Sequence, residues 1–178
     1  MQSSIGERRE SIRQTLKQLE SREVLTQEDY DQLRIWAADS NSEIRTLIVG
    51  FLAQRTGQSA GELLLTLSRD PDPAVRADAL DVLCNFPGEE CSERLRQAAE
   101  TEPNAEARFC AIRSLADGMA ETESPEALTY VQTLFQRETE ELCRLGCCYG
   151  RYLHGDHRAL NDILRQLAAN RAELRANA

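Results

Sequence analysis

Aromatic residues make up only 5% of this 178-residue chain. Leucine, alanine, glutamate and arginine dominate instead, a composition that suits helices better than strands. No apolar run approaches the roughly 18 residues needed to cross a bilayer, so no membrane partner is expected. The N-terminus carries charge within its first ten residues and lacks an apolar signal segment, and the chain is therefore expected to be soluble, unexported and cytoplasmic. Histidine is scarce: His154 and His157 are the only two, which leaves a Cys–His or Ser–His relay few partners. Neither a Gly-x-Ser-x-Gly elbow nor a glycine-rich phosphate loop occurs. Lys17 is the single lysine among 21 basic residues, an arginine bias that points to a high-GC bacterial genome.

Charge of one sign is also scarce where it matters. Between Glu20 and Glu141 there are 25 acidic and 11 basic side chains, a balance of −14 within a net charge of −9. A phosphate-backbone binder needs a concentrated positive footprint, so nucleic acid is not an expected partner. The acidic middle fits either a basic protein partner or simple solubility.

Six cysteines are present: Cys84, Cys91, Cys110, Cys143, Cys147 and Cys148. With nothing implying secretion, they read as small buried apolar residues in a reducing compartment. Cys143, Cys147 and His154 stand at helical spacings of four and seven, and zinc could accept such a set. The two-pair ligand signature of structural zinc is missing, however, and no metal and no cofactor is expected.

What is present is a repeat. Asp39-Ser-Asn-Ser-Glu-Ile-Arg45, Asp70-Pro-Asp-Pro-Ala-Val-Arg76, Glu102-Pro-Asn-Ala-Glu-Ala-Arg108 and Glu138-Thr-Glu-Glu-Leu-Cys-Arg144 align without gaps. Each places an acidic residue six positions before an arginine. After each arginine, mostly apolar residues at +3, +4, +6 and +7 form the stripe of a half-buried helix, as in Ile48, Val49, Phe51 and Leu52. The fourth unit departs from this pattern, with Arg151 at +7. Another helix precedes each acidic turn; the first opens with Thr26 and Asp29 at capping-box spacing. Thr56-Gly57, Phe86-Pro87-Gly88 and the stretch Asp117 to Pro125 read as breaks. The chain is thus expected to be all-α, with repeats at about 26–54, 59–85, 89–117 and 124–153. An N-terminal capping helix (about 4–20, with Ile5, Ile12, Leu16 and Leu19) and a C-terminal helix (about 156–176, with Leu160, Ile163, Leu164 and Leu167) flank them in a single 1–178 domain.

Asp70-Pro-Asp-Pro-Ala-Val-Arg-Ala-Asp-Ala-Leu-Asp-Val-Leu83 resembles the HEAT repeat, in the short bacterial form found in phycobilisome lyases. The resemblance covers roughly Gln27 to Leu153 and implies a right-handed α-solenoid. It also implies a ladder in which turn acids pair with helix arginines of neighbouring repeats. Asp39, Asp70, Glu102 and Glu138 would fill its acidic rungs, and Arg45, Arg76, Arg108 and Arg144 its basic ones. Helical di-iron hydroxylases of HEAT-like build use His-Glu pairs, and this chain has no His-Glu dipeptide. HEAT-like alkylpurine glycosylases need a basic cleft, which the acidic middle opposes. Repeat-level likeness does not carry bilin-lyase activity with it.

In HEAT arrays the second helices line the concave face, whose positions outside the core are +1, +2 and +5 from the arginine. Among these, Asp78, Asp81, Phe109, Arg113, Leu145 and Tyr149 form a candidate partner-binding patch, aromatics and arginine being enriched at binding hot spots. Phe109 and Tyr149 fit packing against neighbouring helices equally well. The expected function is non-enzymatic protein binding through this face. Alternatives are an immunity or inhibitor protein neutralising a basic toxin, or a lyase-like accessory factor that cradles a pigment or peptide.

Overall fold

The computed structural model describes residues 5–176, with side chains described for 5–166 and Ala168. The expected helix start at Ser4 and the apolar position at Leu167 lie outside what is described. Among the described residues there are ten α-helices and no strand: α1 (Ile5–Glu20), α2 (Gln27–Ala37), α3 (Ser42–Leu52), α4 (Gln58–Leu67), α5 (Pro73–Val82), α6 (Glu89–Thr101), α7 (Ala105–Glu121), α8 (Ala127–Arg137), α9 (Glu141–Leu153) and α10 (Ala159–Ala176). A 3-10 turn at Leu83–Asn85 extends α5. Helices α2/α3, α4/α5, α6/α7 and α8/α9 fall in the four stretches read as repeats. The chain divides into two compact units, Met1–Ala79 and Leu80–Ala178.

In the first unit α3 packs on α1, α2 and α4. Its stripe Ile48, Val49, Phe51 and Leu52 is buried together with Leu16, Leu33 and Leu64, each worth about 1.5–3 kcal/mol on removal from water. Thr26 caps α2 as its sequence predicts: its Oγ1 accepts the Asp29 N–H at 3.2 Å, and Asp29 accepts the Thr26 N–H at 2.9 Å. Arg55 fastens the end of α1 by donating to the carbonyls of Leu19 (2.8 Å) and Arg22 (3.0 Å).

In the second unit α7 packs on α6 and α9, and α9 packs on α8 and α10. Ala111, Ile112, Leu115, Val131 and Cys147 form its interior. Gly150 stands at the +6 position of α9 for a steric reason. A Cβ there would lie 2.9 Å from Val131 Cγ1 and 3.1 Å from Ala116 Cβ, too close for any larger residue.

Two expected boundaries are corrected. The break read from Asp117 onward begins later, because α7 continues to Glu121 with Met119 buried on its core side. The helix closes in a Schellman motif, Ser124 N–H donating to Met119 O (3.0 Å) and Glu123 N–H to Ala120 O (3.1 Å). Glu123 takes the left-handed position at φ 49°. The C-terminal helix was expected from about Asp156 but starts at Ala159. Asp156 instead takes two hydrogen bonds from Arg151, at 2.7 and 3.0 Å. That accounts for the arginine at the apolar +7 position of the fourth repeat.

Candidate partner-binding face

The acid-to-arginine spacing has a local cause common to all four repeats. Each acidic side chain accepts the backbone N–H two residues on: Asn41 to Asp39 (2.8 Å), Asp72 to Asp70 (2.8 Å), Asn104 to Glu102 (3.1 Å) and Glu140 to Glu138 (2.9 Å). That bond folds the tight turn. Each arginine then reaches back to the carbonyl of the same acidic residue: Arg45 to Asp39 O (2.8 Å), Arg76 to Asp70 O (2.8 Å), Arg108 to Glu102 O (2.6 Å) and Arg144 to Glu138 O (2.9 Å). The carbonyl lies just ahead of the helix, and the arginine satisfies it. Asn41 and Asn104, two residues after the acid, cap α3 and α7 with their side chains.

Rungs between repeats are made in both units. Arg45 grips Asp70 in a bidentate pair at 2.6 and 2.6 Å, and Arg108 grips Glu138 at 2.8 and 3.2 Å. The hydrogen bonds that Arg45 donates to Asp70 hold the Arg45 pKa above its ordinary value. The bond from Arg108 holds the Glu138 carboxyl below the usual glutamate range, helped by the N–H groups of Glu140 and Thr139. One further rung escaped the sequence reading. Arg8 of α1 donates to Asp39 at 2.7 Å, so the capping helix supplies the first rung. At the other end two guanidinium groups lie over the Phe135 ring, Arg144 at 4.1 Å and Arg151 at 4.7 Å from its centre.

Of the six patch residues, Asp78 lies in the first unit and is exposed. The other five belong to the second unit, where α5, α7 and α9 bring them into one network. Arg113 donates to Asp81, pairing successive +5 positions. Tyr149, the next +5 residue, donates its hydroxyl to Asp117 at 2.6 Å. That bond, with burial, pushes the phenol up to about 12, while nearby Arg113 pulls the other way. Asp117 was read only as part of a break and belongs here because α7 continues through it. Phe109 and Leu145 are half-buried. The Phe109 ring covers Gly146, where a Cβ would stand 3.0 Å from its Cδ2. The +1 and +2 positions are therefore less open than expected: Ala77 and Gly146 are buried.

These second helices carry the family signature. A HEAT-repeat family model matches residues 61–149, half of the chain. The chain belongs to the HEAT-repeat family. No curated protein and no solved structure matches it. As HEAT repeats are generally protein-interaction scaffolds, this repeat array is of the kind that binds other proteins. No helix among the described residues is long and apolar enough to cross a membrane.

The cysteines of this HEAT protein are all free thiols, with Cys143, Cys147 and Cys148 fully buried. Burial pushes Cys143 up to about 11 and Cys147 up to about 12. Cys143 donates its S–H to Ala105 O at 3.2 Å, while His154 meets Ala116 O at 3.0 Å through Nε2. Cys143 and His154 are thus drawn to separate backbone partners. No group of three His, Cys, Asp or Glu placed to hold a metal occurs among the described residues.

Proposed function

We propose that this chain is a non-enzymatic binding module that receives a basic protein partner on the α7–α9 face of its second unit. One observation carries the reading. On that face Asp81 neutralises Arg113, and Asp117 remains as excess negative charge beside the half-buried ring of Tyr149. An aromatic anchor already held in place by a hydrogen bond loses little rotamer freedom on binding. The surrounding negative charge steers a cationic surface toward it. A sharper form of the reading is an immunity or inhibitor protein directed at a basic toxin.

The test begins with capture of the partner from the native organism, identified by mass spectrometry. Association should weaken as salt rises from about 0.1 to about 1 M, since the screening length falls from about 10 to about 3 Å. Asp117→Asn keeps the acceptor for Tyr149 but removes the charge, and should slow association. Tyr149→Ala should speed dissociation. Arg13→Glu on α1 is the control and should change little. Affinity indifferent to salt and to both α7–α9 variants would place the site elsewhere.

A further inference from the structure

The second unit contains a partly open cavity of about 380 Å³ where the 3-10 turn meets α6 and the end of α7. Its walls include Leu83, Phe86, Cys91, Leu95, Leu115 and Met119, all buried side chains. The volume lies within the about 300–1,000 Å³ typical of ligand pockets. Gly118 also lines it, and this glycine is not explained by packing. A Cβ there would meet only Cys84 Cβ, at 3.6 Å, an ordinary contact. Glycine inside a helix costs about 1 kcal/mol relative to alanine. At Gly146 and Gly150 close neighbours explain that cost; at Gly118 what the missing side chain leaves is open cavity.

The surroundings are acidic. The bounding segments, residues 83–96 and 115–124, carry Glu89, Glu90, Glu93, Asp117, Glu121 and Glu123 against only Arg94 and Arg96. Arg96 is drawn over the Tyr130 ring, 5.1 Å from its centre, and the Tyr130 hydroxyl donates to Glu100 at 3.0 Å. The charged residues in the cavity lining are Glu121, which is exposed, and this same Arg96, while the other carboxylates belong to the flanking segments. An apolar interior with a negatively charged surround matches an apolar side chain flanked by cations.

We infer that this cavity is an anchor pocket for a linear peptide segment of the partner, taking one large apolar side chain while neighbouring lysines or arginines meet Glu121 and the adjacent carboxylates. The inference rests on the basic-partner reading and adds to it where the partner's main side chain is held. It is tested on the full chain by amide-resolved NMR titration with three probes: acetyl-Lys-Phe-Lys amide, acetyl-Glu-Phe-Glu amide and acetyl-Lys-Ser-Lys amide. The first should shift Leu83, Cys91, Gly118 and Met119, and the other two should bind at least about tenfold more weakly. Gly118→Leu fills the cavity and should abolish those shifts while the melting temperature holds or rises. Glu121→Gln, at an exposed position, should weaken acetyl-Lys-Phe-Lys amide and should not weaken acetyl-Glu-Phe-Glu amide. Equal binding of all three peptides, shifts confined to other helices, or a Gly118→Leu protein that still binds would overturn the anchor. A captured partner that responds to Asp117→Asn and Tyr149→Ala but not to Gly118→Leu would overturn it while leaving the basic-partner reading standing.

Discussion

Replacing Arg45 with alanine tests the ladder where it is most buried. The Arg45 and Asp70 side chains are only 10% and 4% exposed, and they meet through two hydrogen bonds of 2.6 Å. A third bond, 2.8 Å to Asp39 O, is lost with them. Removing one member of a buried pair typically costs about 3–5 kcal/mol, because the other charge is left in a low-dielectric setting. Asp70 would keep the Asp72 N–H at 2.8 Å, so we expect the lower end, about 3 kcal/mol. Asp70→Asn retains that turn bond while removing the charge. The double variant Arg45→Ala with Asp70→Asn should therefore lose at least about 1 kcal/mol less than the two single losses combined. Trp36 is the single tryptophan and lies in the first unit with the pair, so its fluorescence during urea unfolding reads the relevant half of the chain. An Arg45→Ala loss below about 0.5 kcal/mol, the range of neutral surface changes, would refute the reasoning.

Three further outcomes follow from the geometry. Glu138 has a folded-state pKa below its ordinary value of 4.5, so its contribution is fully present above that value and is lost as pH falls through the folded-state pKa. Acid unfolding followed by circular dichroism should show a shallower loss below pH 4.5 for Glu138→Gln, whose starting stability is already lower. Glu123→Gly relieves a left-handed position at φ 49° and should stabilise by up to about 1 kcal/mol, read as a rise in the urea midpoint; Gly155 already fills the equivalent place after α9 at φ 95°. Gly150→Ala drives a methyl against Val131 and Ala116 and should cost about 1–3 kcal/mol in the same assay.

The repeat was legible because each unit needs the same turn, and the turn needs an acid, a cap and an arginine at fixed spacings. What those arginines hold locally was not legible, since a backbone carbonyl leaves no letter in the sequence. Arg8 escaped notice because it lies on α1, outside the repeating unit and without an acidic residue six positions before it. Gly118 invited a break because glycine weakens helices, yet the burial of Ala116 and Met119 carries α7 past it. Asp156 resembled a helix start, but Arg151 uses it as an ion-pair partner. The candidate face was half legible. The +5 positions Asp81, Arg113 and Tyr149 do converge, while their pairing with one another and with Asp117 depends on how α5, α7 and α9 come together. Phe109 sits over Gly146, a contact that +1 and +2 positions on separate helices do not announce.

The most direct test of the central claim is hydrogen exchange on the HEAT protein alone and in complex with its captured partner, followed peptide by peptide. The account predicts new protection concentrated in α7 and α9, centred on Arg113, Asp117 and Tyr149, and reduced by Asp117→Asn at equal partner concentration. Protection confined to α1, α2 or α10, with α7 and α9 exchanging as in the free protein, would contradict it.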